Sequence, residues 1–378
     1  MYVGLPLLYI LWMRRAALIR PWNIKTDENY TPILDVILPT YNEKEAILDK
    51  LQNLASLDYP RDLMQIIVVD SGSTDGTLQL ERKFAEENST LRMVVIEEEK
   101  RTGKASALNL GLSRCVGEVV VTTDAGDQWD SIVLRSLMRY LADPSVGAVA
   151  GVEQILNASQ SSATRSEVAY RGLHDYIRLG ESKIHSTLIL HGGLTAYKRG
   201  VIDRFDDKHT GNDEAVAVDL VAKGLRCILI PEAKSRYNDY HNWGGKVSRK
   251  VTRAWALIYT LGRCIRLALK GKLKLPYSIF IPNLYLYLLN PLIGLFFYAF
   301  TILTILQYPV LLLPLVLLLI LKPTRTYILA FVLHNAYLLL GIVDHLRGTK
   351  KHVVWKKVSE PNVNPEKHAS LFVKSVVE

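Results

Sequence analysis

Asp124 and Asp127 flank the small pair Ala125-Gly126 directly behind the apolar run Gly117-Glu118-Val119-Val120-Val121-Thr122. Two carboxylates delivered by one strand end can hold a hard cation such as Mg2+ or Mn2+ and leave coordination positions for phosphate oxygens. Ligands in open α/β sheets gather at the carboxyl ends of strands, which gives this turn more weight than an ordinary solvated one. A second acidic segment, Asp213-Glu214, follows Thr210-Gly211-Asn212 at the start of a helical stretch. Acidic residues suit a helix start for dipole reasons alone. The chemical alternative makes Asp213 a general base for an acceptor hydroxyl, a role that contributes about 10²–10⁴-fold in rate.

Three other turns carry polar groups at strand ends. Pro39-Thr40-Tyr41-Asn42-Glu43 follows the first predicted strand, and Asp70-Ser71-Gly72-Ser73-Thr74-Asp75-Gly76 follows the second. Ser73, Thr74 and Asp75 read most simply as helix caps. Asp70 ends an apolar strand where a nucleotide would lie, so it and Glu43 are candidates to accept from a base N–H or a ribose hydroxyl. Arg101-Thr102-Gly103-Lys104 precedes a third helix, and a Gly-Lys pair at a helix N-terminus is a plausible phosphate site.

The elements that must position these residues alternate. Strands are predicted at 33–38, 65–69, 92–96, 118–122 and 147–152, with helices at 43–55, 76–87, 103–114 and 131–141 between them. This alternation implies parallel βαβ units in a doubly wound sheet. A helix over 162–181, the segment 188–197, a helix over 211–223 and a strand at 227–231 follow.

The chain then changes character. Nine basic residues and no acidic one lie between Lys246 and Lys274, and no charged residue occurs from Leu275 to Leu321. The uncharged run exceeds twice the ~20 residues that cross a bilayer, so it has room for two spans, and Thr326 to Val343 offers another. The basic stretch reads as an interfacial segment on the cytoplasmic side. This assigns most of the net charge of +9 to the membrane and none to nucleic acid. Tyr2–Trp12 is a short apolar segment followed by Arg14 and Arg15, which reads as an anchor. Cys115, Cys227 and Cys264 lie far apart and suggest neither a disulfide framework nor a zinc site. The organisation expected is an anchor at 1–20, a catalytic domain at 30–240, basic amphipathic helices at 241–274, a transmembrane region at 275–345 and a polar tail at 346–378.

Taken together, the segments between about 33 and 260 resemble the family-2 glycosyltransferases of the GT-A fold, in the branch of the cellulose, chitin and hyaluronan synthases. Pro39–Glu43 looks like the family's opening nucleotide loop. Val69–Thr77 looks like its uridine-binding turn, with Ser71 where a second Asp is often found. Gly103–Asn109 is similar to its Gly-Lys…Ala-Leu-Asn segment. Asp124–Asp127 occupies the place of the metal-binding DxD, with Gly126 where the second Asp usually falls. His191-Gly192-Gly193-Leu194-Thr195 looks like its acceptor-side loop. Gly211–Glu214 followed by Ala222–Arg226 and Ile230–Ala233 resembles its base-bearing helix and the next strand. The family's Q-x-x-R-W helix is matched loosely, since Arg249–Trp255 has no Gln and places Trp one position late.

The resemblance implies a membrane-bound, multi-pass, inverting hexosyltransferase with a cytoplasmic catalytic domain, using a UDP-sugar and Mg2+ or Mn2+. Pro39, Thr40, Tyr41, Glu43, Asp70, Lys104, Asp124 and Arg253 would bind the donor. Asp124, with Asp127, would bind the metal, and Asp213 would be the base. Gly192, Gly193, Glu214 and Trp255 would face the acceptor, a glycan or a lipid-linked molecule. The altered Arg/Trp segment favours addition of one or a few sugars over a processive polysaccharide synthase. A nucleotide-sugar-binding scaffold is the non-catalytic alternative, and the intact set Asp70, Asp124 and Asp213 argues against it.

Overall fold

A computed structural model describes residues 1–348 apart from 208, 210–211, 240–242, 314–315 and 317–319. The strands are β1 (Leu34–Thr40), β2 (Met64–Asp70), β3 (Arg92–Glu97), β4 (Val119–Thr123), β5 (Gln128–Trp129), β6 (Val146–Ile155), β7 (Leu194–Lys198) and β8 (Arg226–Tyr237). They form one sheet in the order β3-β2-β1-β4-β7-β6-β8-β5. The first four run parallel, as the alternation predicts. Beyond them the sheet is mixed, as the resemblance to the GT-A fold implies. β7 is wedged antiparallel between β4 and β6, and β5 pairs antiparallel with the end of β8. A two-residue strand and one reached through the loop 185–193 leave no periodic pattern to read.

Helices cover both faces, which is why the strands read as unbroken apolar runs. The helices α1 (Gly4–Ile19), α2 (Ile47–Ala55), α3 (Thr77–Glu87), α4 (Lys104–Leu112) and α5 (Val133–Leu141) are followed by α6 (Ser162–Ile184) and α7 (Asn212–Lys223). Ile47, Leu51 and Leu54 of α2 and Leu134, Leu137 and Met138 of α5 pack on Val36, Leu38, Ile66 and Val68. On the opposite face Ala105 and Leu108 of α4 and Val218 and Leu220 of α7 meet Ile37, Ile67 and Val120. The alternation of Val36 and Ile37 between the two cores is the period-2 geometry of a strand.

The basic segment forms a single helix, α8 (Trp243–Leu269). The expectation that its charges lie at headgroups is corrected for its first half. Buried Lys246 is within 3.7 Å of Glu167 and 3.5 Å of Asp239, and half-buried Lys250 is within 2.6 Å of Glu167. Arg263 pairs with Asp219 of α7 at 2.5 Å. Basic residues outnumbering acidic ones locally in sequence find their partners on α6, on α7 and just beyond β8, which no reading of a linear segment shows.

Tyr277 to Gln307 is one apolar helical run: α9 (Tyr277–Leu284), a turn of π-helix (Tyr285–Leu289) and α10 (Asn290–Gln307). Pro282 and Pro291 bracket the π-turn, which absorbs the backbone donors they remove without ending the helix. The second helix is α11 (Lys322–Leu346). Among the described residues two stretches, Tyr277–Gln307 and Thr324–Leu346, are long and apolar enough to cross a membrane. The expected third span, between them, falls partly outside the described residues, and the tail from 349 does so entirely. Phe296 is 78% exposed and Phe300 71%, an apolar face that no part of the described chain covers.

The N-terminal helix α1 packs along α6 and does not stand apart from the domain. Tyr9 Oη donates to Glu181 at 2.7 Å and Lys183 Nζ to the Ala17 carbonyl at 2.6 Å. Its first turn meets α10, where Tyr2 lies against Phe297 and Tyr298.

Candidate active site

The predicted phosphate, metal and base residues meet at the carboxyl end of β4. Gly103, at φ +116°, turns the chain into α4 in a conformation that side chains rarely adopt. Lys104, first in that helix, places Nζ 2.5 Å from Asp124 Oδ1. Asp213, near the start of α7, receives the Tyr197 hydroxyl at 3.2 Å. Gly192 is the joint between them. A Cβ at Gly192 would overlap Asp213 Oδ2 and come within 3.1 Å of Lys104 Nζ; a Cβ at Gly193 would overlap the carboxylate of Asp127. Glycine is required at both positions so that Asp213, Lys104 and the acidic turn can close on one point.

The acidic groups are crowded. Burial, with Asp124 and Glu153 adding like charge, pushes Asp127 up to about 7. Burial also raises Asp213, with Asp124 adding to the shift and Lys104 opposing it. Burial and the adjacent Asp213 bring Glu214 to about 7. Burial works against the Lys104 ammonium, yet Asp124 and Asp213 outweigh it and hold its pKa above the usual lysine value. Two facing carboxylates that repel each other, with hard oxygen donors and no thiol or imidazole between them, suit a divalent oxygen-seeking cation. Among the described residues no cluster of three or more His, Cys, Asp or Glu side chains forms a complete metal cage. A cation here would take its remaining ligands from elsewhere, as it must if it is to bridge to a diphosphate.

Sequence reading missed Lys50. It is fully buried, donates to the Asp127 carbonyl at 2.7 Å and lies 4.3 Å from the Trp129 ring centroid. Trp129 Nε1 in turn donates to the Gly193 carbonyl at 3.0 Å, so α2 braces the acidic turn and the glycine loop together. The available signal was a lysine inside the buried stripe Ile47, Lys50, Leu51, Leu54, a helical spacing that otherwise selects apolar residues. His191 was noted only as part of its loop. Burial keeps it neutral, with Arg178 at 2.6 Å from Nε2 and Glu153 at 3.5 Å from Nδ1, which fixes Nδ1 as the protonated nitrogen.

The nucleotide-side loops interlock. Thr74 N–H donates to Asn42 Oδ1 at 2.8 Å, Asn42 N–H to Ser73 Oγ at 2.9 Å, and Glu43 N–H to Thr77 Oγ1 at 2.9 Å. Asp75 caps Thr77 as the sequence predicts. Pro39 and Thr40 close β1, and the Arg101 guanidinium lies 3.6 Å over the Tyr41 ring. Asp70 is fully buried; one oxygen accepts Ser73 N–H at 2.8 Å and the other has no partner among the described residues.

On α8 the predicted pair divides. Arg253 borders Glu153 and Glu214, and no hydrogen bond or ion pair engages its guanidinium among the described residues. Trp255 is buried, with one ring neighbour in Tyr259 at 5.8 Å and another in His345 at 5.6 Å. Its ring is therefore packed between α8 and α11 and presents no bare face for a sugar. Thr210 and Gly211 lie outside the described residues.

The model for Glycosyl transferase family 2 matches residues 35–205, the segment that holds the nucleotide loops, Lys104 and Asp124–Asp127. A mannosyltransferase from Pyrobaculum calidifontis, solved in complex with GDP-Man and Mn2+, is 33% identical with a TM-score of 0.78, covering 92% of this chain and 96% of that one. The chain is a family-2 glycosyltransferase. This glycosyltransferase is also similar to the "Probable glycosyltransferase YdaM" of Bacillus subtilis, at 26% identity over 60% of this chain and 54% of the relative. The poly-beta-1,6-N-acetyl-D-glucosamine synthase of Staphylococcus aureus is 29% identical over 56% and 52%. The chain thus spans about half the length of the curated relatives it matches. The α/β sheet of the GT-A type expected from the sequence is the fold observed.

Proposed function

We propose that this glycosyltransferase moves a hexose from a nucleotide-diphospho sugar to an acceptor hydroxyl with inversion, at the cytoplasmic face of a membrane. The convergence of Lys104–Asp124 and Asp213 across Gly192 carries the reading. On this reading Asp124, beside Lys104, belongs to a cation site, and Asp213, across Gly192, is a base of raised proton affinity.

Asp124 and Asp127 would hold Mg2+ or Mn2+, which supplies positive charge to the leaving diphosphate. Lys104 adds a protein cation at the same place. Pro39, Thr40, Tyr41, Glu43 and Asp70 shape the nucleoside pocket. Asp213 takes the proton of the acceptor hydroxyl as that oxygen bonds to the anomeric carbon, while the bond from that carbon to the phosphate oxygen breaks on the opposite face. Burial raises the basicity of Asp213 toward the range where a general base works well near neutral pH. The Tyr197 hydroxyl fixes its orientation. Arg253 and Glu214 lie on the acceptor side.

The two apolar helices support a membrane location. Ile279 and Phe280 belong to the domain core, and His345 lies beside Trp255, so the pair leaves the domain and returns to it. On this reading Arg347 lies on the catalytic side. A hairpin therefore agrees with the positive-inside rule, where three spans would not. The acceptor is a lipid-linked or glycan hydroxyl presented at this face. The 29% identity to a polysaccharide synthase supports a processive reading as the alternative, and product length separates the two. Radiolabelled donor should yield short, discrete products, whereas a high-mass ladder would select the synthase. Nucleotide release from several donors, with and without Mn2+, tests the reaction itself. Near wild-type turnover by Asp213→Asn would remove the base assignment.

A further inference from the structure

The helix α4 carries more than its phosphate-side lysine. Lys104 stands in its first turn beside Asp124, and Asn109 lies five residues further on, at the end of the Gly-Lys…Ala-Leu-Asn segment. The Asn109 side chain grips one residue of a distant segment by its backbone. Its Nδ2 donates to the Phe205 carbonyl at 3.0 Å, and its Oδ1 accepts the Phe205 N–H at 2.8 Å. A primary amide suits this task because it offers a donor and an acceptor side by side. Phe205 lies between β7 and α7, eight residues before Asp213. Its side chain is fully buried, in the same core as Leu108 of α4 and Val216 and Ala217 of α7. Its ring meets Tyr197 edge-on, with centroids 5.9 Å apart and planes at 82°. Tyr197 is the residue whose hydroxyl holds Asp213.

Phe205 belongs to neither a strand nor a helix, so no regular ladder satisfies its N–H and C=O, and the Asn109 amide does so instead. The same segment is held a second time where His209 stacks on Tyr259 of α8, with centroids 4.0 Å apart. Asn109 thereby sets where the chain approaches α7. We propose that Asn109 is a positioning residue for Asp213: α4 presents Lys104 to the diphosphate and, through Asn109, fixes the segment that delivers the base. Both sides of the transfer are then referred to one helix. This rests on Asp213 acting as the base. A displacement of about 1 Å at a reacting group can cost ~10²-fold in rate even when its origin is remote from the chemistry. Loss of the amide leaves a backbone N–H and C=O to find other partners, which is a direct way to produce such a displacement.

The test follows Mn2+-dependent nucleotide release by the full chain in isolated membranes that supply the acceptor, using the fastest of a panel of GDP- and UDP-sugars. Calorimetry of GDP and UDP with the chain in detergent runs beside it. Asn109→Ala should lower kcat about 10–100-fold, with donor KM and nucleotide affinity within about twofold of wild type. Asn109→Asp keeps the shape and loses the donor to the Phe205 carbonyl, so it should lose kcat to a similar extent. A wild-type rate in Asn109→Asp would make Asn109 a space-filling residue and overturn the proposal. The sharpest arm repeats Asn109→Ala in an Asp213→Asn background. With the base gone its placement no longer matters, and the second change should cost less than about twofold. A full loss of about 10–100-fold in that background, or a parallel loss of nucleotide affinity in Asn109→Ala alone, overturns the positioning role while the base assignment stands. Near wild-type turnover by Asp213→Asn alone removes the base and the positioning role together.

Discussion

Two regions of this glycosyltransferase bury charge, and they treat it in opposite ways. In the crevice, Asp127, Asp213 and Glu214 are pushed up, because burial is reinforced by like charges and outweighs the cations that oppose it, Lys50 and Lys104 at Asp127, Lys104 at Asp213, and Arg253 and Arg178 at Glu214. Behind it, between α6 and α8, burial is outweighed. The Nδ1–H of neutral His191 and the Arg171 guanidinium hold Glu153 well below the usual carboxylate range, and Lys250, Arg171 and Lys246 do the same for Glu167. Arg171 bonds to both acids. The first region keeps its carboxyl groups reactive and short of partners. The second locks them. Perturbed pKa values mark both, and the direction of the shift is what separates the site from its support.

The comparison predicts that each region fails differently. The largest effect is expected for Asp213→Asn, with kcat falling about 10²–10⁴-fold and GDP or UDP affinity unchanged in calorimetry. A loss of nucleotide binding instead would make Asp213 part of the donor site. Next comes Glu167→Leu, which strands Lys250 and takes one of two acidic partners from Lys246 and Arg171. Breaking a buried pair costs about 3–5 kcal/mol, read as a drop in chemical-denaturation stability. A surviving fold with only kcat reduced would place Glu167 in the reaction.

The pH dependence is smaller and has opposite signs in the two places. Glu214 has a folded pKa near 7 against an ordinary 4.5, so its contribution is present below pH 4.5 and lost as the pH rises through 7. Glu167 is depressed, so its contribution is present above 4.5 and lost as the pH falls below it. Thermal midpoints of metal-free Glu214→Gln should fall less than wild type between pH 4.5 and 7. Those of Glu167→Gln should lose their acid-side dependence. Identical profiles in both variants would erase the distinction. The smallest effect is expected for Tyr197→Phe, which removes one hydrogen bond to Asp213. About 0.5–1.5 kcal/mol is at stake, seen as a several-fold change in kcat with KM unmoved.

How much was legible follows from the range over which each residue acts. Strands β1 to β4 and the helices between them were visible because both faces are covered and each element is long enough to show its period. Lys104, Asp124 and Asp213 were visible because each stands at a strand or helix end, where local signals are strong. Lys50 was hidden inside an apolar stripe. Asn109 was visible as the end of a motif, and nothing along the chain says that its amide would hold the backbone of Phe205.

The helices after the domain show the same boundary. Composition alone determined that an uncharged apolar stretch follows a basic one, because burial in lipid depends on residue type. It also determined the order of the catalytic segments and the family they resemble. Only the tertiary structure decided that Pro282 and Pro291 leave one helical run, that Lys246 and Lys250 turn inward to Glu167, and that Gly192 and Gly193 bring Asp213, Lys104 and Asp127 to one point. Those outcomes depend on charges and close contacts between segments remote in sequence, and pairing of that kind is a property of the folded chain.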